Sequence, residues 1–554
     1  MKTFDFHFHL LFKHYITEGT SQQKNVKVKG LADILDTIFG GPFDSQSSPL
    51  QVSESSLRLG VVSLVSLEHA FANRILNLEL LGIDIDLSHV LPMKWGLVEK
   101  VKKGEISYFD DFKAQLDDYK TSLNWLQDAP YNIRYLDRRD WKGKKPDEIR
   151  SKLEVEGERH FAFSIEGGHN LSTVPIHGDV RSLFPELKLK ELQDSNDFDF
   201  ISINLCHLSY IPEQHLGGFC QGLNNLSQIA FSSEDFTPKS GIGLTALGKK
   251  VIRQALTHPE KPVLIDVKHM SVYSRFQYYR FRESLAREIP SVARLPIMSS
   301  HTGFTFYTLK DFINNKKFRS TTETIHGLKA TKVEAENQRV GRTDDRINNG
   351  LFPNPWTINL FDEEITEIMS SRGMIGLSLD QRILGAAKIA IDSKRGQFYE
   401  GEYITQPEFE RLFRDGQLPG PERIFEDLVP SREERHIMLL CLHIIHAVRV
   451  GYSTLSWLQG TSPWDHICIG SDFDGLINPI NGIDNATCFD ELRKQLIRYL
   501  PQADKSVTTY PGTKALRYKE DGSVDKTYLE EVVDKFMFQN GREFLIRFLT
   551  NWDA

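Results

Sequence analysis

The chain has 554 residues, of which 40% are hydrophobic and 26% are charged, with a formal net charge of −8 at pH 7. A chain of this length can bury a large core in one big domain or two ordinary ones, and we predict a single domain over residues 1–554. The 67 basic residues are fewer than the 75 acidic ones and form no long runs, which excludes a broad phosphate-binding face, so we expect no nucleic-acid partner.

The N-terminal residues and the cysteines bear on the compartment. Asp5 and His7 stand where a secretory signal would carry its apolar core, and no apolar run is expected to reach transmembrane length. The sequence therefore predicts a cytoplasmic protein without a membrane partner. The five cysteines are widely spaced and lack a CxxC pair, which favours reduced thiols over a disulfide scaffold or a thiolate zinc site.

Eight apolar runs of β type are predicted as strands, and helical patterns follow several of them. The runs lie near residues 3–9, 59–66, 160–166, 199–207, 262–269, 295–301, 374–379 and 466–472. The helical patterns cover Leu244–His258, Val272–Glu288, Phe361–Ser371 and Glu433–Val450. Alternation of continuously apolar strands with helices predicts an α/β fold, a (β/α)8 barrel whose active site lies at the carboxyl ends of the strands.

The spacing between the predicted strands leaves room for insertions of helical or loop character near residues 67–158, 302–357 and 380–465. The polar stretch 302–357 is interpreted as a lid or a subunit-contact loop over the barrel mouth, and a homo-oligomer is left open. Near the end of the chain, Thr527–Glu530 has the pattern of a capping box and predicts the start of a final helix.

Side chains that bind metals stand at or near the ends of six predicted strands, where buried strands normally exclude polar groups. They are His7, His9, Glu166, His207, His269, His301 and Asp472. His7 and His9 are two residues apart on a strand, so both point to one face and can hold one ion. His269 and His301 end consecutive strands and could hold a second ion. Repetition of this exception on six strands predicts one shared site.

Each ligand candidate also has a structural interpretation. The two histidines of the first strand could be ordinary hydrogen-bonded residues, and Glu166 could bond the amides of the loop that Gly167 and Gly168 begin. A carboxylate between two cations would instead offset their repulsion. Imidazole and carboxylate without thiolate suit zinc, manganese or iron. Two such ions can activate a shared water and polarise a carbonyl, which predicts hydrolysis.

Five motifs resemble, in order and in context, those of the membrane (renal) dipeptidase family of zinc peptidases: Ile165–His169, Asn204–His207, Leu264–Ser271, Pro296–His301 and Ile469–Gly475. The resemblance implies a barrel of the amidohydrolase type with two zinc ions bridged by Glu166. His7, His9 and Asp472 would complete one site, and His269 and His301 the other. His207 would hydrogen-bond the substrate carbonyl or its tetrahedral intermediate, and Asp472 would act as the catalytic base.

The chain departs from the family at two places. The first strand of the family usually reads His-x-Asp, whereas this chain has His7-Phe8-His9. Ile358 stands where the family carries the Arg that binds the substrate's terminal carboxylate. Three arginines of the preceding insertion are candidates to replace it, because a guanidinium matches a carboxylate bidentately, although solvated surface arginines are the ordinary alternative. They are Arg339, Arg342 and Arg346.

Other candidates are left out of the predicted site. Lys268 could be a carboxylated bridging lysine, but strand alternation predicts that it points away from the face of His269. His443 and His446 are expected in the core or on a helix surface. Three further histidines are expected at the rim of the barrel mouth: His169, His177 and His215.

Three functional hypotheses stay open. The first is a dimetal hydrolase that cleaves a peptide or related amide bond in a small substrate such as a dipeptide. The second is an amidohydrolase-type lactonase or phosphoesterase, and the third is a catalytically silent barrel that serves as a binding protein. A full set of ligand candidates weighs against the third, while Ile358 weighs against assuming a dipeptide. Metal analysis and a panel of dipeptides, lactones and phosphoesters would separate them.

Overall fold

The structure is a computed structural model, and it describes most of the chain. The described residues are 1–29, 43–75, 78–80, 83–85, 92–178, 180–220, 243–314, 318–325, 328–336, 353–385, 391–392, 397–412, 432–455 and 461–553.

Eight parallel strands form a barrel, as the sequence predicted. We number them barrel strands one to eight, and their bounds are Thr3–Phe8, Leu57–Leu64, Arg159–Ile165, Phe200–Asn204, Leu264–Asp266, Met298–Thr302, Met374–Leu377 and Ile467–Ile469. The ring closes between strands one and eight, where the Asp472 amide donates to the His7 carbonyl at 2.8 Å and the His9 amide to the Phe473 carbonyl at 2.9 Å. A short strand, Ile133–Tyr135, adds to strand three outside the ring and was not predicted.

Helices surround the barrel and fill the longer connections between its strands. Their bounds are Phe12–Ile16, Pro49–Glu54, His69–Ile75, Trp95–Lys103, Tyr108–Leu126, Arg138–Trp141, Pro146–Leu153, Pro185–Asp194, Ala246–Thr257, Val272–Glu288, Leu309–Asn314, Asp362–Ser370, Gln381–Leu384, Gln406–Leu412, Arg432–Thr454, Phe489–Ser506, Lys526–Asp534 and Asn540–Leu549. The predicted start at Thr527 is wrong, because Asp525 is the residue that caps Lys526–Asp534, accepting from the amides of Thr527 and Tyr528.

The insertions contain strands as well as helices and loops. Phe318–Ile325, Leu328–Glu336, Gln397–Thr405 and Ile391–Asp392 pair in that order into an antiparallel sheet, and Leu78–Leu80 pairs with Ile83–Ile85. The expectation of helical or loop insertions is therefore wrong for these segments. In Phe318–Ile325 the β-branched residues are mostly threonine, so the alternation typical of a strand carries little apolar signal.

Within the part of the chain that the structure describes, one helix, Glu434–Thr454, is long and apolar enough to cross a membrane. The expectation that no run reaches this length is wrong for this helix. In its apolar window, 83% is buried inside the protein, which is common for a core helix and makes length and composition weak evidence for a span.

A buried ion pair fixes the segment after strand six against the helix Val272–Glu288. Arg275 donates from Nε and Nη2 to the two carboxylate oxygens of Glu364 at 2.7 and 2.9 Å, and both side chains are buried. Arg275 Nη1 also donates to the carbonyls of Met270 and Thr357 at 2.7 and 2.8 Å. The ion pair therefore sets the position of the neighbouring Ile358, which faces the barrel mouth.

We expect Arg275→Met to lower the free energy of unfolding by about 3–5 kcal/mol, because Glu364 would stay buried without a cation. Urea denaturation of the metal-free protein followed by tryptophan fluorescence measures this change. As a control, Arg253→Met removes an exposed pair with Glu288 and should cost less than about 1 kcal/mol. Equal stability of the two variants would contradict the role given to Arg275.

Candidate metal centre

The seven side chains expected at the site meet at the carboxyl ends of the barrel strands. They come from strands one, three, four, five, six and eight, either within the strand or shortly after it. Five are almost fully buried, while the side chains of His207 and Asp472 are 15% exposed. The buried five are His7, His9, Glu166, His269 and His301.

Glu166 lies at the middle of the cluster. Its Oε2 is 3.2 Å from His9 Nε2. Its Oε1 is 3.4–3.6 Å from the Nε2 atoms of four histidines, namely His7, His207, His269 and His301. Two ligands of one tetrahedral zinc ion are about 3.3–3.6 Å apart, given zinc–ligand bonds of about 2.0–2.2 Å. The spacing around Glu166 is therefore the spacing of ligand atoms that share an ion.

The remaining contacts form two groups beside Glu166. Asp472 Oδ1 lies 3.6 Å from the Nε2 atoms of both His7 and His9. On the other side, the Nε2 atoms of His269 and His301 are 3.1 Å apart. Ligand atoms of His7, Glu166, His301 and Asp472 also lie within 4.8 Å of one another, as do those of Glu166, His207 and His269. The contacts of 3.1–3.6 Å are close to the separation of two ligands on one ion, and they favour His7, His9 and Asp472 as one group and His269 and His301 as the other.

The backbone turns sharply where these side chains enter the site. Strand five ends at Asp266, and His269 has a φ of 68°. The alternation of a strand therefore no longer applies at Lys268, and the argument that turned Lys268 away from the site is wrong, since both residues line the same cavity. After strand three, Gly167 has a φ of 93°, and a Cβ there would lie 2.3 Å from the His169 ring. Glycine is required at this turn.

Burial and charge set the protonation of the ligand candidates in opposite ways. Burial lowers the pKa of His269 to about 3 and also lowers the pKa of His301, so both rings are neutral. Burial would also lower the pKa of His9, but hydrogen bonds to Asp472 and Glu166 raise it to about 9. Burial would raise the pKa of Glu166, but the neighbouring His7 and His207 hold it well below its usual range. Metal ligands must be deprotonated, and most of this set already is.

Glu68 is a site residue that the sequence analysis missed. Its carboxylate contacts His207 Nδ1 and the Ser209 hydroxyl and accepts from the Leu208 amide at 3.1 Å. Burial opposes both charges, yet their attraction lowers the pKa of Glu68 to about 2 and raises that of His207 to about 10. The signal was present in the sequence, because Glu68 comes shortly after barrel strand two, as most of the ligand candidates come shortly after their own strands.

The residues present fit bound metal ions. The Nε2 atom of His7 lies 3.4 Å from Glu166 Oε1 and is buried without a hydrogen-bond partner among the described residues. Buried polar atoms are normally paired, so an unpaired imidazole nitrogen beside a carboxylate indicates a place for a cation. Imidazole and carboxylate donors without thiolate suit zinc, manganese or iron.

A cleft opens above the cluster and has an empty volume of about 900 Å³, counting the part open to solvent. Most of its wall is apolar, with side chains such as Phe12, Leu67, Ile358 and Ile383. Such a wall suits apolar groups of a substrate beside the candidate metal ligands.

The other candidates of the sequence analysis lie elsewhere. Arg339, Arg342 and Arg346 fall outside the described residues. His443 and His446 are core residues, since His443 bonds the Phe304 amide and the Leu384 carbonyl and His446 bonds Asp362. The three histidines expected at the rim do not line the cleft in the described part of the chain, and they are His169, His177 and His215. His169 is buried, and His177 is exposed.

Comparison with known proteins finds similar solved structures at low sequence identity. A dipeptidase described as a metallopeptidase of family M19 is 14% identical, with 100% of this chain and 99% of that chain covered and a TM-score of 0.43. A metallopeptidase from Rhodobacter sphaeroides, liganded with a phosphinate mimic of the dipeptide L-Ala-D-Ala, is 14% identical, with 98% of each chain covered and a TM-score of 0.41.

The probable dipeptidase PvdM from Pseudomonas aeruginosa is 13% identical, with 100% of this chain and 95% of that chain covered and a TM-score of 0.41. No protein-family model matches the sequence, and no curated protein matches it. The matched structures include metallo-dipeptidases, the class that the sequence motifs resemble. At these identities and TM-scores the likeness concerns the fold alone.

We expect about two divalent ions per chain after reconstitution with zinc at neutral pH, as measured by elemental analysis. Glu166→Gln should lower the occupancy of both ions because Glu166 contacts both ligand groups, whereas His269→Ala should lower mainly one. His177→Ala replaces an exposed histidine outside the cleft and should keep both ions. Absence of bound metal from the reconstituted wild-type protein would contradict the prediction.

Metal binding should also release a proton from His9. Because its pKa is raised to about 9, His9 holds a proton at pH 7–8 that an incoming ion must displace. About one proton should be released from His9 in each chain at pH 7–8, and this number should fall as the pH rises above about 9. Calorimetric titration of zinc into the metal-free protein, in two buffers with different ionisation enthalpies, measures it. A binding enthalpy at pH 7.5 that does not depend on the buffer would refute this assignment.

Proposed function

We propose that the protein is a dimetal hydrolase that cleaves a peptide or related amide bond in a small substrate. The observation that carries the proposal is Glu166, whose two oxygens lie 3.2–3.6 Å from the Nε2 atoms of five histidines at one end of the barrel. A buried carboxylate shared by that many imidazoles suits a bridge between two cations. Zinc is the proposed metal, in keeping with the donor set.

The proposed ligand sets follow the shortest contacts. His7, His9 and Asp472 would hold one ion with Glu166, and His269 and His301 would hold the other. His207 stays outside both sets, because its Nδ1 is bonded to Glu68 and the charge of Glu68 keeps the ring protonated. The proton of His9 is held by Asp472 and Glu166, which would themselves hold an ion, whereas Glu68 would hold no ion and keeps its charge beside His207. Bound ions of this kind lower the pKa of a water and polarise a carbonyl.

Asp472 is proposed as the group that moves the proton. Its side chain is 15% exposed at the cleft, and the burial of the rest of the carboxylate raises its pKa. A carboxylate of raised pKa in a cleft is suited to take a proton from the attacking water and to give it to the nitrogen of the leaving amine. Glu166 is less suited to this role, because its pKa is held low by the surrounding histidines.

His207 is proposed to stabilise the oxygen of the scissile carbonyl as negative charge develops on it. Its Nε2 faces the centre of the cluster, 3.5 Å from Glu166 Oε1, and its ring lines the cleft. Glu68 holds the ring through its Nδ1 atom and supplies the negative charge that favours the imidazolium. A cationic donor placed in advance at a developing oxyanion lowers the barrier without reorganisation.

His207→Ala should lower kcat on the best amide substrate by about 10²–10³-fold, with both metal ions retained, because it removes the donor and no proposed ligand. A panel of dipeptides, lactones and phosphoesters identifies that substrate. Full turnover of His207→Ala would refute the role of His207. If the metal-loaded wild-type protein hydrolysed lactones or phosphoesters but no amide, the proposed reaction would be wrong.

Glu68→Gln tests the charge on His207 by a pH profile. Without the carboxylate the pKa of His207 should fall from about 10, and the imidazolium is present only below its pKa. The variant should therefore lose activity relative to the wild type as the pH rises through 8–9 and should recover toward lower pH. A uniform loss at all pH values would show that Glu68 acts only by positioning the ring.

A further inference from the structure

Two cationic side chains, Lys268 and Arg382, line the cleft above the metal centre, and they are the only lysine and arginine on its described wall. They come from the ends of barrel strands five and seven, on either side of the segment after strand six that carries Ile358. Ile358 and Ile383 pack together with Cys220 as an apolar patch. The cleft thus combines a metal-ligand floor, an apolar patch and two cations.

Arg382 is fixed by hydrogen bonds to its neighbours and keeps one hydrogen-bond donor group unused. Asp380 caps the helix Gln381–Leu384, and its carboxylate accepts from the amide of Arg382 at 2.8 Å and from Nε at 2.8 and 3.0 Å. Nη2 donates to Asp380 and to the Leu476 carbonyl. Nη1 donates to no side chain or carbonyl in the described part of the chain. The guanidinium is therefore fixed along one edge and has an unused donor group.

Lys268 is the second cation, and its ammonium has no hydrogen-bond partner among the described residues although only 2% of the residue is exposed. A buried donor without a partner is costly, and a bound anion would remove that cost. Lys268 lines the cleft, where such an anion could reach it.

We propose that Arg382 and Lys268 bind a carboxylate of the substrate, so that the enzyme acts on amides that carry a carboxylate near the scissile bond, as a free dipeptide does. The inference rests on the proposed function and specifies its substrate class. Arg382 Nη1 and Lys268 Nζ are two separate donor groups, which matches the two oxygens of a carboxylate. The apolar patch of Ile358 and Ile383 between the strands that carry them would contact the adjoining side chain of the substrate.

The test compares kcat/KM for Ala-Ala with kcat/KM for its C-terminal amide, in the zinc-loaded protein. The wild type should prefer the free carboxylate. In Arg382→Met the ratio of the two values should fall about 10- to 100-fold, mainly through a higher KM for Ala-Ala, because one charge-assisted hydrogen bond is lost. Lys268→Met should lower the same ratio, and Lys268→Arg should restore part of it.

The chain offers a matched control. Asp137 and Arg139 form the same arrangement as Asp380 and Arg382, with bonds from the Arg amide, Nε and Nη2 to the capping carboxylate, but Arg139 is 42% exposed and lies away from the cleft. Arg139→Met should leave the ratio unchanged. Elemental analysis of every variant separates loss of the anchor from loss of metal, since Lys268 adjoins His269.

Two results would overturn the assignment of the anchor. One is a wild type that hydrolyses the amide as well as the free dipeptide. The other is a ratio of the two kcat/KM values that stays unchanged in both Arg382→Met and Lys268→Met. A ratio that is lowered instead by Met at Arg339, Arg342 or Arg346 would move the anchor to that arginine. Both leave the proposed function intact. If the zinc-loaded wild type hydrolysed neither compound nor any other amide, the proposed function itself would fail.

Discussion

The structure depends on one buried carboxylate. Glu166 is 2% exposed and carries a negative charge in the interior of a barrel mouth, a position that is unfavourable unless cations or hydrogen-bond donors surround it. Five imidazoles provide the surroundings, but His269 and His301 are neutral and add no charge, and Nε2 of His7 lacks a partner in the described part of the chain. Cations between Glu166 and the histidines would resolve both problems together.

The barrel supplies this arrangement because each strand ends at the same rim. Strands five and eight are only three residues long, and their ligands follow on backbone turned to positive φ, with 68° at His269 and 64° at Asp472. Other buried side chains fix the residues that surround the ligands. Glu68 does so for His207, and the ion pair of Arg275 and Glu364 fixes the segment that carries Ile358 beside the cleft.

The sequence predicted the barrel and the seven residues that converge, because apolar runs and ligand-type residues at their ends are local patterns. It missed Glu68, whose importance depends on the distance to His207 across two strands. It misplaced Lys268, since alternation was extended beyond Asp266, where the strand ends. The sheet that pairs residues 318–336 with 391–405 joins two predicted insertions, and pairing over such separations leaves little trace in a polar sequence.

The most direct test of the account is the position of the metal ions. Diffraction data from crystals grown with zinc, collected at the zinc absorption edge, should show two anomalous peaks about 3.5–4 Å apart. One should lie among His7, His9 and Asp472, the other beside His269 and His301, with Glu166 between them. A single peak, or peaks that do not contact Glu166, would contradict the central role of this carboxylate.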